Sequence, residues 1–212
     1  MYTLTRRLAV TVVAATVLPL SLAACGSDDG AKDRASGTST SAAQAADPTK
    51  SAGGSAPFGP GCAAVPKDGA GSFAGMAKDP VATAASHNPA LSTLVSAVKQ
   101  AGLVDTLNNA KNLTVFAPTN EAFAKIPKAD LDKVLSDKEQ LTKILTYHVV
   151  GERLAPKQLE DGTFKTLEGS ELTTKGSGED FTVNDTAKVV CGDVQTSNAT
   201  VYVIDTVLMP PM

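Results

Sequence analysis

The chain of 212 residues has no tryptophan, three tyrosines and six phenylalanines, so aromatic side chains make up only 4% of it. A stacking platform for single-stranded bases is therefore missing. An excess of positive charge is missing too: 19 basic residues face 22 acidic ones, and the net −3 speaks against a nucleic-acid partner. Two histidines, with three cysteines at positions 25, 62 and 191 in no paired spacing, do not supply a four-ligand zinc site. No Gly-x-Ser-x-Gly elbow, Walker loop or dinucleotide glycine pattern occurs, and no carboxylates stand in an acid–base or metal-ligand spacing. The pattern calls for no cofactor and favours a non-catalytic protein. An odd number of cysteines is left to explain.

The first 25 residues bear on that cysteine. Arg6 and Arg7 form a positive start, residues 8–20 are uncharged and apolar apart from the break at Pro19, and small Ala23 and Ala24 follow. This is the layout of a secretory signal, too short for a bilayer span of about 20 apolar residues. Leu8-Ala9-Val10 is a poor continuation for a twin-arginine signal, so general secretion is expected. Leu22-Ala23-Ala24-Cys25 resembles the lipobox of bacterial lipoproteins, whose cysteine receives a diacylglyceryl group and becomes the new N-terminus. The resemblance implies that residues 1–24 are removed and that Cys25 anchors the chain to the outer face of the cell membrane. The alternative is an ordinary signal with a chance cysteine beside its cleavage site. Residues 26–57 contain no Leu, Ile, Val or aromatic residue, and such a stretch buries too little apolar surface to offset its backbone entropy. A disordered tether over 25–57, with a root-mean-square reach of about 30 Å, is expected. Its Ser and Thr at 36, 38, 39, 40 and 41 also suit O-linked sugars, a bare linker being the plainer reading.

Residues 58–212 hold 14 basic and 18 acidic residues without large blocks, and their length suits one core. Leu91, Leu94, Val95 and Val98 share a helical face that starts near Asn88 or Pro89 and stops at Gly102. Leu131, Val134 and Leu135, then Leu141, Ile144 and Leu145, make a second helical pattern, split by Asp137 as the N-cap of its later part. Leu113-Thr114-Val115-Phe116 between them favours a strand, and Thr119 after Pro118 is placed to cap a helix beginning at Asn120. Five short strands are expected over residues 147–150, 164–167, 171–174, 181–183 and 188–191, with a central one, covered on both faces, over 201–208. Helices first and strands second mean an α+β domain. Asp205 inside that apolar strand must accept hydrogen bonds to be tolerated. Outside the cytoplasm, Cys62 and Cys191 most simply pair with each other, two reduced buried thiols being the alternative.

Three stretches carry a family resemblance. Leu113-Thr114-Val115-Phe116-Ala117-Pro118-Thr119-Asn120-Glu121-Ala122-Phe123, then Tyr147-His148, then Asn198-Ala199-Thr200-Val201-Tyr202-Val203-Ile204-Asp205-Thr206-Val207-Leu208-Met209-Pro210 resemble, in order, the signatures of fasciclin domains. The Cys62/Cys191 pair and the Asn-Ala-Thr-Val-Tyr wording are similar to a mycobacterial group with secreted immunogenic and lipid-anchored cell-surface members. The resemblance implies a single β-wedge of two sheets flanked by helices and a role in adhesion. It also implies contacts through the Tyr147-His148 region, which animal members use toward integrins. Ala199 in place of the usual Gly, Tyr202 in place of a common His, and the lack of an acidic-Pro peptide count against integrin binding here. Read by itself, a strand beginning at Tyr147 sends Tyr147 and His148 to opposite faces, with His148 more often a buried hydrogen-bonding residue than a catalytic one. The sequons at Asn112, Asn184 and Asn198 are taken as coincidence. The expected function is a lipid-anchored, non-catalytic interaction module whose partner is an unidentified surface protein, glycan or lipid. The alternative is a lipoprotein of the cell envelope that binds a small molecule or lipid.

Overall fold

The computed structural model describes residues 56–211; the export segment, Cys25 and nearly all of the tether lie outside the described residues. Phe58 is the first residue to join the fold, through paired backbone hydrogen bonds with Gly192. A 3-10 turn over Pro60–Ala64 follows, and a disulfide joins its Cys62 to Cys191 with the Cα atoms 4.8 Å apart.

Short helices come next, and the residues bounding them account for their lengths. Ser72 caps α1 (Phe73–Met76) by accepting from the Gly75 amide at 3.1 Å. After α2 (Val81–Ser86), Asn88 caps a 3-10 turn at Pro89–Leu91 that runs into α3 (Ser92–Ala101). Gly102 ends α3 in the left-handed region at φ 74°, where a Cβ would be strained. Helix α4 spans Val104–Asn109 and strand β1 spans Leu113–Pro118. Thr119 then caps α5 (Asn120–Ala124) by accepting from Ala122 at 3.2 Å. The second helical pattern divides at Asp137 into α6 (Lys128–Ser136) and α7 (Lys138–Tyr147), and the Asp137 carboxylate accepts from Glu139 and Gln140 at 3.0 and 3.1 Å.

The remaining strands are β2 (Val149–Val150), β3 (Asp161–Lys165), β4 (Glu171–Ser177), β5 (Asp180–Val183), β6 (Ala187–Gln195) and β7 (Ala199–Ile204). They form one sheet in the order β2-β1-β7-β6-β5-β4-β3, antiparallel except for the parallel pair β1–β7. The expectation of two sheets is thus corrected. Nine-residue β6 pairs with β5 at its start and with β7 beyond, through register shifts on either side of Cys191, so a single sheet bends where two were expected. Its ends nearly meet: Val150 bridges to Thr166, and the Leu167 amide donates to the Val149 carbonyl at 2.8 Å.

Every residue of β1 and β7 is buried, and their period-two alternation feeds two cores. Leu113, Val115, Ala117, Ala199, Val201 and Val203 face the helices. Phe116, Tyr202 and Ile204 point into the space enclosed by the curved sheet, with Leu154, Leu172, Phe181 and Val183. The central strand is covered on both faces as expected, but it ends at Ile204 and not at Leu208. Asp205 breaks it by drawing its carboxylate onto the Lys188 amide at 2.9 Å and the Lys125 ammonium at 3.1 Å.

Candidate interaction site

The strand expected from Tyr147 begins two residues later. Tyr147 is the last residue of α7, and His148 closes that helix by donating its amide to the Ile144 and Leu145 carbonyls. Helical backbone bonds carry through to His148, while the Tyr147 side chain leaves the Leu141 and Leu145 face and enters the core enclosed by the sheet.

Both side chains are only 2% exposed and point to different places. The Tyr147 hydroxyl donates to the Glu171 carbonyl at 3.1 Å and accepts from the Asn184 side-chain amide at 2.7 Å. Asn184 in turn accepts from the Thr173 amide at 2.9 Å and adopts φ 50°, so this cluster pins the α7 end to the β4–β5 hairpin. His148 sends its ring the other way. Nδ1 meets the Ile144 carbonyl at 2.8 Å and Nε2 accepts from the Leu208 amide at 3.0 Å, which requires the neutral tautomer with the proton on Nδ1. Burial lowers its pKa from 6.5 to about 4, only partly opposed by the Ile144 hydrogen bond. Buried and fully engaged, neither side chain offers a polar group to an outside partner.

What the pair holds in place is exposed. The described residues have two large exposed apolar side chains, Leu167 at 45% and Met209 at 53%. Each is tied to the same three-residue segment: the Leu167 amide donates to Val149, next to His148, and Leu208 binds the His148 ring directly before Met209. No local signal marks either, because the contacts that present them link residues 18 and 60 apart.

A second set of residues that sequence reasoning missed staples the helices to one another and to the start of β7. Asn198 accepts from the Val81 amide at 2.8 Å and donates to the carbonyls of Leu107, Ala110 and Asn108 at 2.7, 2.8 and 3.2 Å. Asn108 accepts from Ala82 at 3.0 Å, and Asn120 links Thr93 at 2.9 Å to Pro89 at 2.9 Å. The available signal was Pro80 ahead of α2: a helix start with no capping side chain must have its free amides met from elsewhere. Asn198 and Asn184 are therefore structural, and among the sequon residues Asn112 alone is exposed.

Tyr202, standing where the wider family often has His, is buried, and its hydroxyl donates to the Leu154 carbonyl at 2.9 Å. Burial, with the Asp193 charge, raises its pKa far above the ordinary value. Asp205 is the reverse case. Burial alone would raise its carboxyl, but hydrogen bonds from Lys188, Lys125 and Thr206, with the Lys125 charge, hold it below the usual carboxylate range. His87, the other histidine, forms a half-exposed surface pair with Asp79 at 3.5 Å. Among the described residues no group of three or more His, Cys, Asp or Glu is arranged to hold a metal ion.

These motifs coincide with a family match: a fasciclin domain covers residues 89–210. The chain belongs to the fasciclin family. It is 54% identical over 162 residues to the cell surface glycolipoprotein MPB83 of Mycobacterium bovis, covering 73% of this chain and 72% of that one. It is 50% identical over 161 residues to the immunogenic protein MPB70 of the same species, covering 72% of this chain and 82% of that one. A solved FAS1 domain pair from the insect cell adhesion molecule fasciclin I is similar over 57% of this chain and 45% of that one, at 24% identity and a TM-score of 0.49. Within this fasciclin domain the Tyr-His motif is a buried anchor that fixes what surrounds it.

Proposed function

We propose that this fasciclin protein is displayed on the outer face of the cell membrane, held by a diacylglyceryl group on Cys25. Residues 26–57 serve as a spacer, and the domain from residue 58 onward is a non-catalytic interaction module. The observation that carries the reading is a lipobox-like Leu22-Ala23-Ala24-Cys25 joined through a polar stretch to a fasciclin domain. The 54% identity to a protein named a cell surface glycolipoprotein supports it. Leu167 and Met209, tied to the Tyr147-His148 segment, are the contact residues, because two exposed apolar side chains presented from one rigid segment suit a macromolecular partner. The partner is a protein, glycan or lipid of the surroundings.

Attachment of cells to host or neighbouring-cell surfaces tests this. Deleting residues 58–212 should lower attachment, and Leu167→Asp with Met209→Asp should lower it without loss of the folded domain. Equal attachment by the deleted and intact strains would defeat the adhesion reading.

A further inference from the structure

A cavity of about 160 Å³ opens between α2, α3, α4, α7 and the β1–β2 edge. Its walls are aliphatic: Val81, Leu94, Val98, Leu107, Leu145 and Val149 stand among them. The space exists because α2 presents Ala82 and Ala85 to it, where larger side chains would close the gap. The few uncharged polar groups that reach the cavity already have protein partners. Both ring nitrogens of His148 are spent on Ile144 and Leu208. The Thr83 hydroxyl is held by Asn108 at 3.2 Å, and the Ser86 hydroxyl donates to the Thr83 carbonyl at 2.6 Å. A mostly aliphatic cavity of this kind favours an apolar guest over water, and its volume matches one known to admit a benzene-sized molecule, about six carbons.

Lys99 supplies the one charge. It lines the cavity from α3 beside Val95 and Val98, is itself exposed, and its ammonium has no ion-pair or hydrogen-bond partner among the described residues. An aliphatic interior with a single free ammonium at its exposed rim suits an amphiphile whose chain enters and whose anionic head stays outside. We propose that this cavity binds a single medium-length aliphatic carboxylate, with about six carbons inside and the carboxylate at Lys99. This goes beyond the surface-interaction reading and is independent of it, since cell attachment tests that reading and soluble ligand binding tests this one.

The probe is octanoate, kept below its aggregation concentration, added to the purified full chain and followed by methyl NMR. Octanol and octylammonium serve as controls of the same chain length. Saturable shifts at the methyls of Val95, Val98, Val104, Leu107 and Val149 are expected. Octylammonium should bind at least fivefold more weakly than octanoate. Lys99→Glu, on an exposed helix face where folding is not at stake, should weaken octanoate at least fivefold and leave octanol unchanged. Ala85→Phe fills the cavity and should abolish binding wherever its NMR spectrum remains that of a folded protein. Absence of saturable wall shifts, or shifts concentrated at Leu167 and Met209, would overturn the proposal. Equal binding of octanoate to the native chain and to Lys99→Glu would overturn it as well.

Discussion

His148 shows how one residue can join two distant parts of a chain while looking like a functional group in the sequence. Its ring takes the Leu208 amide and gives its proton to Ile144, so it locks the segment after β7 to the end of α7. The bond exists only while Nε2 is unprotonated. The folded state lowers the His148 pKa from 6.5 to about 4, so the unfolded chain binds the proton more readily. The resulting stability is fully present above pH 6.5 and is lost as the pH falls from 6.5 through 4. At about 1.4 kcal/mol per pKa unit, the loss is on the order of 3 kcal/mol. Urea unfolding at stepped pH should show this decline, and His148→Phe should flatten the part of it that His148 causes. That variant should also cost about 1–3 kcal/mol at pH 7, because the Leu208 amide is left buried without an acceptor. A His148→Phe profile parallel to the native one would refute the assignment. Asn198→Ala is the companion case. Removing a side chain that makes four helix contacts should cost about 2–3 kcal/mol in the same assay.

At the scale of elements, α3, α5, α6 and α7 were legible in the sequence because their signals are local, whereas α1, α2 and α4 are too short to show a helical period. Gly102, Thr119 and Asp137 act within a few residues of themselves, and the structure finds them as stop and caps. The β-favoured runs of β1 and β7 were legible for the same reason. The contacts that set the sheet's closure were not, since Leu167 reaches Val149 and Val150 bridges to Thr166 across a stretch that holds a 3-10 turn and β3, and no local signal says which strands meet. The start of β2 was misjudged because Tyr147 suits a strand by propensity while tertiary burial keeps it helical. The N-terminal clasp is a further non-local element. Phe58 lies against Gly192, where any Cβ would run into its ring, and its ring packs on Phe181 and Tyr202 at centroid distances of 5.6 and 6.5 Å. The disulfide secures the same segment four residues later. Cys62→Ser with Cys191→Ser should therefore lower stability, by at most about 5 kcal/mol in the chain-entropy account. It should also raise amide exchange at Phe58 and Gly192 ahead of the rest of β6. Unchanged protection at those two amides would mean that the aromatic contact alone holds the clasp.

At the scale of the whole molecule, the described domain has no helix long and apolar enough to cross a membrane. The anchor proposed here, the Cys25 thiol, lies outside the described residues. Each buried methylene contributes about 0.8 kcal/mol, so one acyl chain holds marginally and two hold stably. On this proposal, loss of the two acyl chains is enough to release the protein from the membrane. Cys25→Ala should move the protein from the detergent phase to the aqueous phase on phase partitioning, while near-UV circular dichroism of the domain stays the same. Cys62→Ser with Cys191→Ser should do the opposite, loosening the domain while leaving it in the detergent phase. This crossed pair separates anchoring from folding, which a single variant does not. Unchanged detergent partitioning of Cys25→Ala would sink the lipid anchor and return residues 1–24 to an ordinary secretory signal.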